Sequence, residues 1–398
     1  MMKKTLVALA ATAVTGAFAQ VAITGNIDIG LANSSGQTTA NNTTAIAGSN
    51  TSTQTLAFSG TEDLGGGLKA GFKLETTIAA NSASSLNGSA QTAPYADGHV
   101  WSGTPFSSEQ FVSLAGGFGT VRAGVPNAAV FRAQGVSQPF GTGLSSGYSG
   151  TYSRLGYAGG YGLSGFAGVA NGGGTSLRVI RMNNTVQYET PNMNGLSAMV
   201  EMSFGNDNQT STSAFAANSG SFQGLLVNYD AGALKVAGAV NTYKVGINTV
   251  AGNSVLSTTT LSSGALAANQ SVDYQFLGGN YTVGKSTYYV GLSSVKASDA
   301  TEDSQSWNVA YKFAFNENVD LLANMVSTTS QLPLFSNTTI GMSSTTKNLN
   351  KKLIGFGADY RLSKRTSLYA RYENTDTNTD NSSTGETIKT AFGVRHQF

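Results

Sequence analysis

Cysteine is absent from this sequence of 398 residues, which removes disulfides, thiolate-ligated zinc, iron–sulfur clusters and thiol catalysis together. Histidine is nearly absent: His99 and His396 leave little for a metal site or a catalytic triad. Charge is scarce too, with Asp, Glu, Lys and Arg at 11% of the chain against about 25% in an average soluble protein. There are only 6 prolines. Beyond residue 20 no run of 18 apolar residues occurs, so no transmembrane helix is expected. Most enzyme classes are short of parts, and no cofactor is expected. Glycine (49 residues) and aromatics (19 Phe, 16 Tyr, 2 Trp) are plentiful, too many aromatics for a charged, disordered chain.

The first residues read as an export leader. Lys3 and Lys4 make a positive start, Leu6 to Val14 an apolar core, and Ala17-Phe18-Ala19 a small-residue cleavage site. The expected division is a signal peptide over 1–19 and a mature chain over 20–398. The two leader lysines carry the whole formal excess of +2, so the mature chain is formally neutral. Nucleic acid, which is held by a basic surplus, is not an expected partner.

What recurs along the mature chain is a period of two. Val21, Ile23, Ile27, Ile29 and Leu31 alternate with Ala22, Thr24, Asn26 and Asp28. Leu68, Ala70, Phe72 and Leu74 alternate with Lys69, Lys73 and Glu75. The same rhythm sets Trp307, Val309, Tyr311 and Phe313 against Asn308 and Lys312, and Ile354, Phe356, Ala358 and Tyr360 against Asp359 and Arg361. Side chains two apart share a strand face, so each run predicts a strand with one apolar and one polar side. Strands near 222–229 and 272–295 alternate less cleanly.

Short and long connections also alternate. Short ones fall at 62–67, 116–119, 190–195, 230–233, 282–285, 316–318 and 362–366. Longer Gly/Asn/Ser/Thr stretches fall at 33–53, 79–105, 126–178, 205–221, 244–270, 296–303, 327–350 and 374–385. Together they join sixteen strands, with about 24 residues each, enough for roughly 10 residues tilted across a bilayer. A sheet with one apolar face can fold into a sandwich or close into a barrel with that face in lipid. Closure satisfies every strand edge in hydrocarbon. Tyr188, Tyr229, Phe315 and Tyr360 stand just before short turns on the apolar face, as an aromatic girdle would. The expected fold is all-β: a sixteen-stranded antiparallel transmembrane barrel.

Several patches carry a family resemblance. The run Gly60-Thr61-Glu62-Asp63-Leu64-Gly65-Gly66-Gly67-Leu68-Lys69-Ala70, followed by Phe72-Lys73-Leu74-Glu75, resembles the first hairpin of the general porins of beta-proteobacteria. Gly117-Phe118-Gly119-Thr120-Val121 is similar to their second turn, and Arg181 to Asn192 to the segment after their constriction loop. Leu362-Ser363-Lys364-Arg365-Thr366 and Val394 to Phe398 resemble their last turn and final strand. The resemblance implies a homotrimer in outer-membrane lipid that passes small polar solutes by diffusion. It also implies that 126–178 is a third loop folded inward as the constriction, and that Phe398 is the assembly signal read by the barrel-insertion machinery. The family often carries basic residues where this chain has Thr55, Ser59 and Gln187, so its positive wall is thinner here.

Gly279-Asn280-Tyr281-Thr282-Val283-Gly284-Lys285-Ser286 fits the phosphate-binding pattern G-x-x-x-x-G-K-[ST]. That chemistry needs a helix next, but Thr287-Tyr288-Tyr289-Val290 is β-branched and aromatic, so a hairpin turn is expected. His99 reads as a solvated loop residue and His396 as lipid-facing. No catalytic constellation is expected. Charge is more informative. From Gln110 to Gln187 no acid occurs, yet Arg122, Arg132, Arg154, Arg178 and Arg181 do. Parity puts Arg122 and Arg181 on the polar face. Basic groups in a narrow pore lower the barrier for small anions. Lys73, Lys389 and Arg395 extend this set, while Glu75, Glu109, Glu189 and Glu201 oppose it. The expected function is an outer-membrane channel for ions and small polar solutes, weakly anion-selective. The alternative is a structural or adhesive barrel with a plugged lumen and ligand-binding surface loops.

Overall fold

The computed structural model describes residues 21–36, 42–78, 80–81, 106, 108–143, 146–147, 151, 180–182, 184–204, 221–244, 271–297, 304–332, 347–379 and 382–398. Its strands are β1 (Ala22–Ser35), β2 (Thr43–Gly48), β3 (Thr55–Gly65), β4 (Leu68–Thr77), β5 (Gln110–Gly116), β6 (Gly119–Val125), β7 (Thr185–Glu189), β8 (Leu196–Ser203) and β9 (Ser221–Asp230). They continue as β10 (Leu234–Lys244), β11 (Ser271–Val283), β12 (Ser286–Ala297), β13 (Ser304–Ala314), β14 (Val319–Leu332), β15 (Lys347–Arg361), β16 (Thr366–Thr379) and β17 (Ser382–Gln397). Among the described residues between β6 and β7, the short helix α1 (Ala129–Gln134) is followed directly by a 3-10 turn, Gly135–Ser137.

Every neighbouring pair is antiparallel, and β1 pairs β17 from Asn26 opposite Gln397 to Ser35 opposite Ile388, which closes the sheet. The seventeen segments make sixteen staves, because β2 and β3 share one: β3 pairs with Ala22–Asn26 of β1 and β2 with Ile29–Ser34. Between them residues 49–54 leave the ladder. Buried Asp28 organises this excursion by accepting hydrogen bonds from Thr51 N (2.6 Å), Thr51 Oγ1 (2.7 Å) and Ser52 N (2.9 Å).

The period of two sorts the side chains as expected. Ile23, Val112, Val200, Leu277, Val290, Val309, Phe356 and Phe392 are outward and exposed, the disposition of a lipid-facing wall. Tyr188, Tyr229, Phe315 and Tyr360 are exposed beside short turns, where Tyr281 and Tyr288 join them. All seven short connections are turns. The phosphate-loop pattern is one of them: Thr282 pairs with Thr287 and Val283 with Ser286, and Gly284 supplies the positive φ (+56°) of the tight hairpin. His396 faces outward, its Nδ1 2.9 Å from Thr366 Oγ1. His99 lies outside the described residues.

Three long connections differ from expectation: within 33–53 the strand β2 pairs with β1, the ends of 327–350 belong to β14 and β15, and 374–385 changes most. Residues 374–385 read as a long polar loop, yet β16 runs to Thr379 and β17 starts at Ser382. Once the hairpin rises above an apolar band, neither face needs apolar side chains. Backbone pairing continues without the alternation that reveals it in sequence.

The seam depends on a close approach. Gly25 N donates to Phe398 O (3.0 Å) and Phe398 N to Gly25 O (3.1 Å). The Phe398 ring covers Gly25, where a Cβ would strike that ring and sit 2.6 Å from the Thr55 carbonyl oxygen. Gly25→Ala is therefore expected to cost about 1–3 kcal/mol, the usual penalty of overpacking. Urea unfolding followed by gel mobility checks this; a wild-type midpoint would show that the seam yields freely.

Candidate functional site

Parity places Lys73 and Glu75 of β4, Arg122 of β6, and Lys389 and Arg395 of β17 on the inner wall. Each alternates with outward apolar neighbours, so the rhythm that puts Phe72 and Phe392 toward lipid turns these charges inward. Arg154 and Arg178 lie outside the described residues.

Lys73 is held between two carboxylates, 2.9 Å from Glu75 and 2.7 Å from Glu109. The other Glu109 oxygen accepts the Asn127 backbone N–H (3.0 Å), and Asn127 Oδ1 accepts Arg181 Nε (3.0 Å). Burial alone would favour neutral Glu109; Lys73, that N–H and the Arg181 charge outweigh it and hold the carboxyl below its usual range. Asn127 also bridges Arg181 through the backbone, while Ala128 N donates to Ile180 O (2.7 Å). The chain thus leaves the wall after β6 and returns before β7 at one place, within reach of Lys73.

Arg122 and Arg132 converge on Glu189. Arg122 Nη1 lies 2.7 Å from Oε2, and Arg132 grips both oxygens, Nη1 at 3.1 Å and Nη2 at 2.8 Å. Arg122 also sits over the Phe111 ring, 5.8 Å from its centroid. The acid-free stretch of sequence is therefore not acid-free in space, since Glu109 and Glu189 flank it and fold onto it. Lys389 is loosely paired with Glu373 at 4.0 Å, and Arg395 stands opposite Asp28 in the ladder.

A second set is built around Glu201, which the sequence reading named only as an opposing charge, and around asparagines that it missed. Glu201 accepts Ala129 N (2.7 Å), Asn241 Nδ2 (2.6 Å) and Gln187 Nε2 (2.7 Å), while Asn241 Oδ1 accepts Val130 N (2.9 Å). Asn280 donates to Val136 O, Asn308 to Ser137 O and Asn324 to Ser146 O, each at 2.7 Å. These inward asparagines bind backbone that would otherwise be unpaired away from water. Ala129, Val130 and Ala133 of α1 pack on Met199, Phe222, Leu226, Ala239 and Phe276. This explains the poor alternation of β9 and β11: their inner face is apolar where the helix covers it. Buried Arg371 was also missed; it bonds Asp359 (2.8 Å) and lies 5.6 Å from the ring centroids of both Phe140 and Tyr369. The available signal was inward parity combined with an amide or a charge.

A closed antiparallel cylinder with an apolar outer wall and a charged inner one defines a membrane β-barrel of the channel-forming class. Residues 5–380 match the family described as Gram-negative porin, and the chain belongs to that family. It is 32% identical over 242 residues to outer membrane porin protein 32 of Delftia acidovorans, across 59% of this chain and 58% of that one, so the match spans less than two thirds of the relative. Among solved structures, the anion-selective porin from Comamonas acidovorans matches with a TM-score of 0.68 at 21% identity, over 96% of this chain and 100% of that one. The trimer form of OmpT from Vibrio cholerae matches at 0.59 and 15% identity, over 95% and 99%. At these identities the structures show a shared fold.

Glu189 balances two guanidinium groups with one carboxylate, so its charge decides the local sign. Glu189→Gln is expected to raise the anion-to-cation permeability ratio about twofold at 0.1 M salt, fading at 1 M where the screening length is about 3 Å. The zero-current potential across a salt gradient measures it. Arg122→Gln should move the potential the other way, and no shift in either variant would remove this triad from selectivity.

Proposed function

We propose that the chain forms a water-filled diffusion channel in the outer membrane, with 1–19 removed on export and 20–398 forming the barrel. The observation that carries this reading is the inner wall. Lys73, Arg122, Glu189 and Lys389 line a closed cylinder whose outside is apolar. Taking even paired ions out of water costs several kcal/mol each, roughly, so such a wall suits a hydrated lumen better than a dry core. The segment 126–178 enters the lumen as the constriction loop. Support comes from the anchoring of α1 to Glu201 and Asn241. The alternative of a plugged, adhesive barrel is less well supported, because a cavity of about 510 Å³ lies beside Lys73 and Arg181.

Small anions are weakly preferred over cations. Arg122 and Arg132 share a single acid, whereas Lys73 and Arg181 meet Glu75 and Glu109, so the surplus is small. The anion-selective Comamonas relative agrees in sign. The active form is a homotrimer in outer-membrane lipid, delivered by barrel-insertion machinery that reads Phe398.

Planar-bilayer recording of the purified protein is expected to show stepwise insertions in groups of three. A folded trimer that never conducts would favour the plugged barrel. Glu201→Ala combined with Asn241→Ala should free α1 and change the unit conductance or its noise; an unchanged channel would place the helix away from the narrow zone. Phe398→Ala is expected to lower the amount of folded protein in the outer membrane more than it lowers the urea resistance of barrel refolded in detergent. Equal effects would reduce its role to packing at the seam.

A further inference from the structure

The second stave carries more chain than its neighbour can pair. Asn26 of β1 stands opposite Thr55 and Ile29 opposite Gly48, so residues 49–54 face only Ile27 and Asp28. The surplus has to leave the sheet. Its side chains, from Ser49 and Asn50 through Thr51, Ser52 and Thr53, are polar, which bars the lipid side. It turns inward. Asn50 Nδ2 reaches Tyr369 Oη of β16 (2.9 Å) past both β17 and β1, and Asn26 Nδ2, on the inward face of β1, donates to Thr53 O (3.0 Å).

The tip of this excursion meets the segment read above as the constriction. Thr53 N donates to Thr142 Oγ1 (3.0 Å), the two hydroxyls lie 3.2 Å apart, and Gly143 N donates to Thr51 O (3.1 Å). A Cβ on Gly143 would lie 2.5 Å from the Asn50 carbonyl oxygen, so the two backbones touch. The segment that Glu201 and Asn241 anchor at α1 thus has a second anchorage on another sector of the wall. Ser52, Thr53 and Thr142 border the cavity of about 510 Å³ that Lys73 and Arg181 also line, so whatever fixes Thr142 shapes that opening.

Asp28 fixes it at one remove. A single carboxylate oxygen accepts Thr51 N, Thr51 Oγ1 and Ser52 N, the residues just before Thr53. Bonds to an ionised acceptor are about twice as strong as neutral ones. We propose that residues 49–54 are a brace and that Asp28 is a positioning residue acting through it. The carboxylate is fully buried and touches no passing solute. It holds the brace, the brace holds residues 141–143 at the edge of the lumen, and the width of the passage follows. The inference rests on the reading of the chain as an open channel with an inward third loop, and adds a second element to the constriction.

Neutral polyethylene glycols of graded size are the probe, added to the full-length protein in a planar bilayer. The largest one that still alters the unit conductance reports the width, and being uncharged it does not report the charge lost with Asp28. D28A and T142V should both admit larger polymers and give a noisier current, D28A more so. T142V removes the acceptor of Thr53 N at nearly constant volume, and it decides the matter alone if D28A does not fold. An unchanged or smaller size limit in T142V, or in folded D28A, would overturn the proposal. Hydrogen exchange on the detergent-solubilised protein reads the same contacts without conduction. Exchange at Gly143 should be about fivefold faster in T142V and about tenfold or more in D28A, while the amides pairing β1 with β17 stay protected. A conducting channel in which D28A speeds exchange at 49–54 but not at 141–143 loses the brace and keeps the pore. Joint loss of protection in a protein that does not conduct keeps the link from Asp28 to Thr142 and removes the pore.

Discussion

Hydrocarbon offers a backbone amide no partner, and the structure is organised around that constraint. Each N–H and C=O in a membrane strand has to be paired within the protein, so the sheet has to end where it began. The pairing of β1 with β17 meets that demand over ten positions, and the reciprocal bonds between Gly25 and Phe398 carry it to the last residue of the sequence. The second stave shows that the ladder tolerates interruption only with substitutes. Where residues 49–54 leave it, the Asp28 carboxylate receives the freed amides.

Closure gives each strand an inside and an outside, and the two faces solve different problems. The outer one needs little beyond apolar bulk and an aromatic rim. The inner one has to hold charge and to receive a length of chain that is not part of the sheet. It does so by dividing labour around the ring. Lys73 between Glu75 and Glu109 on one side, and Glu189 between Arg122 and Arg132 nearby, form ion-paired groups of opposite excess. Across β8 to β11 the inner face becomes apolar and takes α1, with Glu201 and Asn280 bonded to the backbone at Ala129 and Val136.

This division explains which elements were legible. Strands such as β4, β13 and β15 alternate cleanly because one face meets lipid and the other a polar interior. β9 and β11 did not, since Leu226 and Phe276 meet a helix from 80 or more residues earlier in the chain, where parity predicts polar side chains. Six of the seven turns were readable from Gly, Asn or Asp, while 362–366 contains none of these. The top of the last hairpin was not readable, because paired backbone above the apolar band leaves no mark in side-chain hydropathy.

Sequence alone determined the class: the period of two, the alternation of turn lengths and the girdle tyrosines admit a large membrane barrel and little else. It also offered basic candidates for the inner wall, because parity is a local property of a strand. Tertiary structure decided how much of that charge is left to act. The arginines stand in a segment free of acids along the sequence, yet Glu189 lies 57 positions from Arg132 and becomes its partner only when β7 closes beside β6 and α1 packs on the inner face. A carboxylate's effect on a cation falls with distance in space, and distance along the chain does not report it.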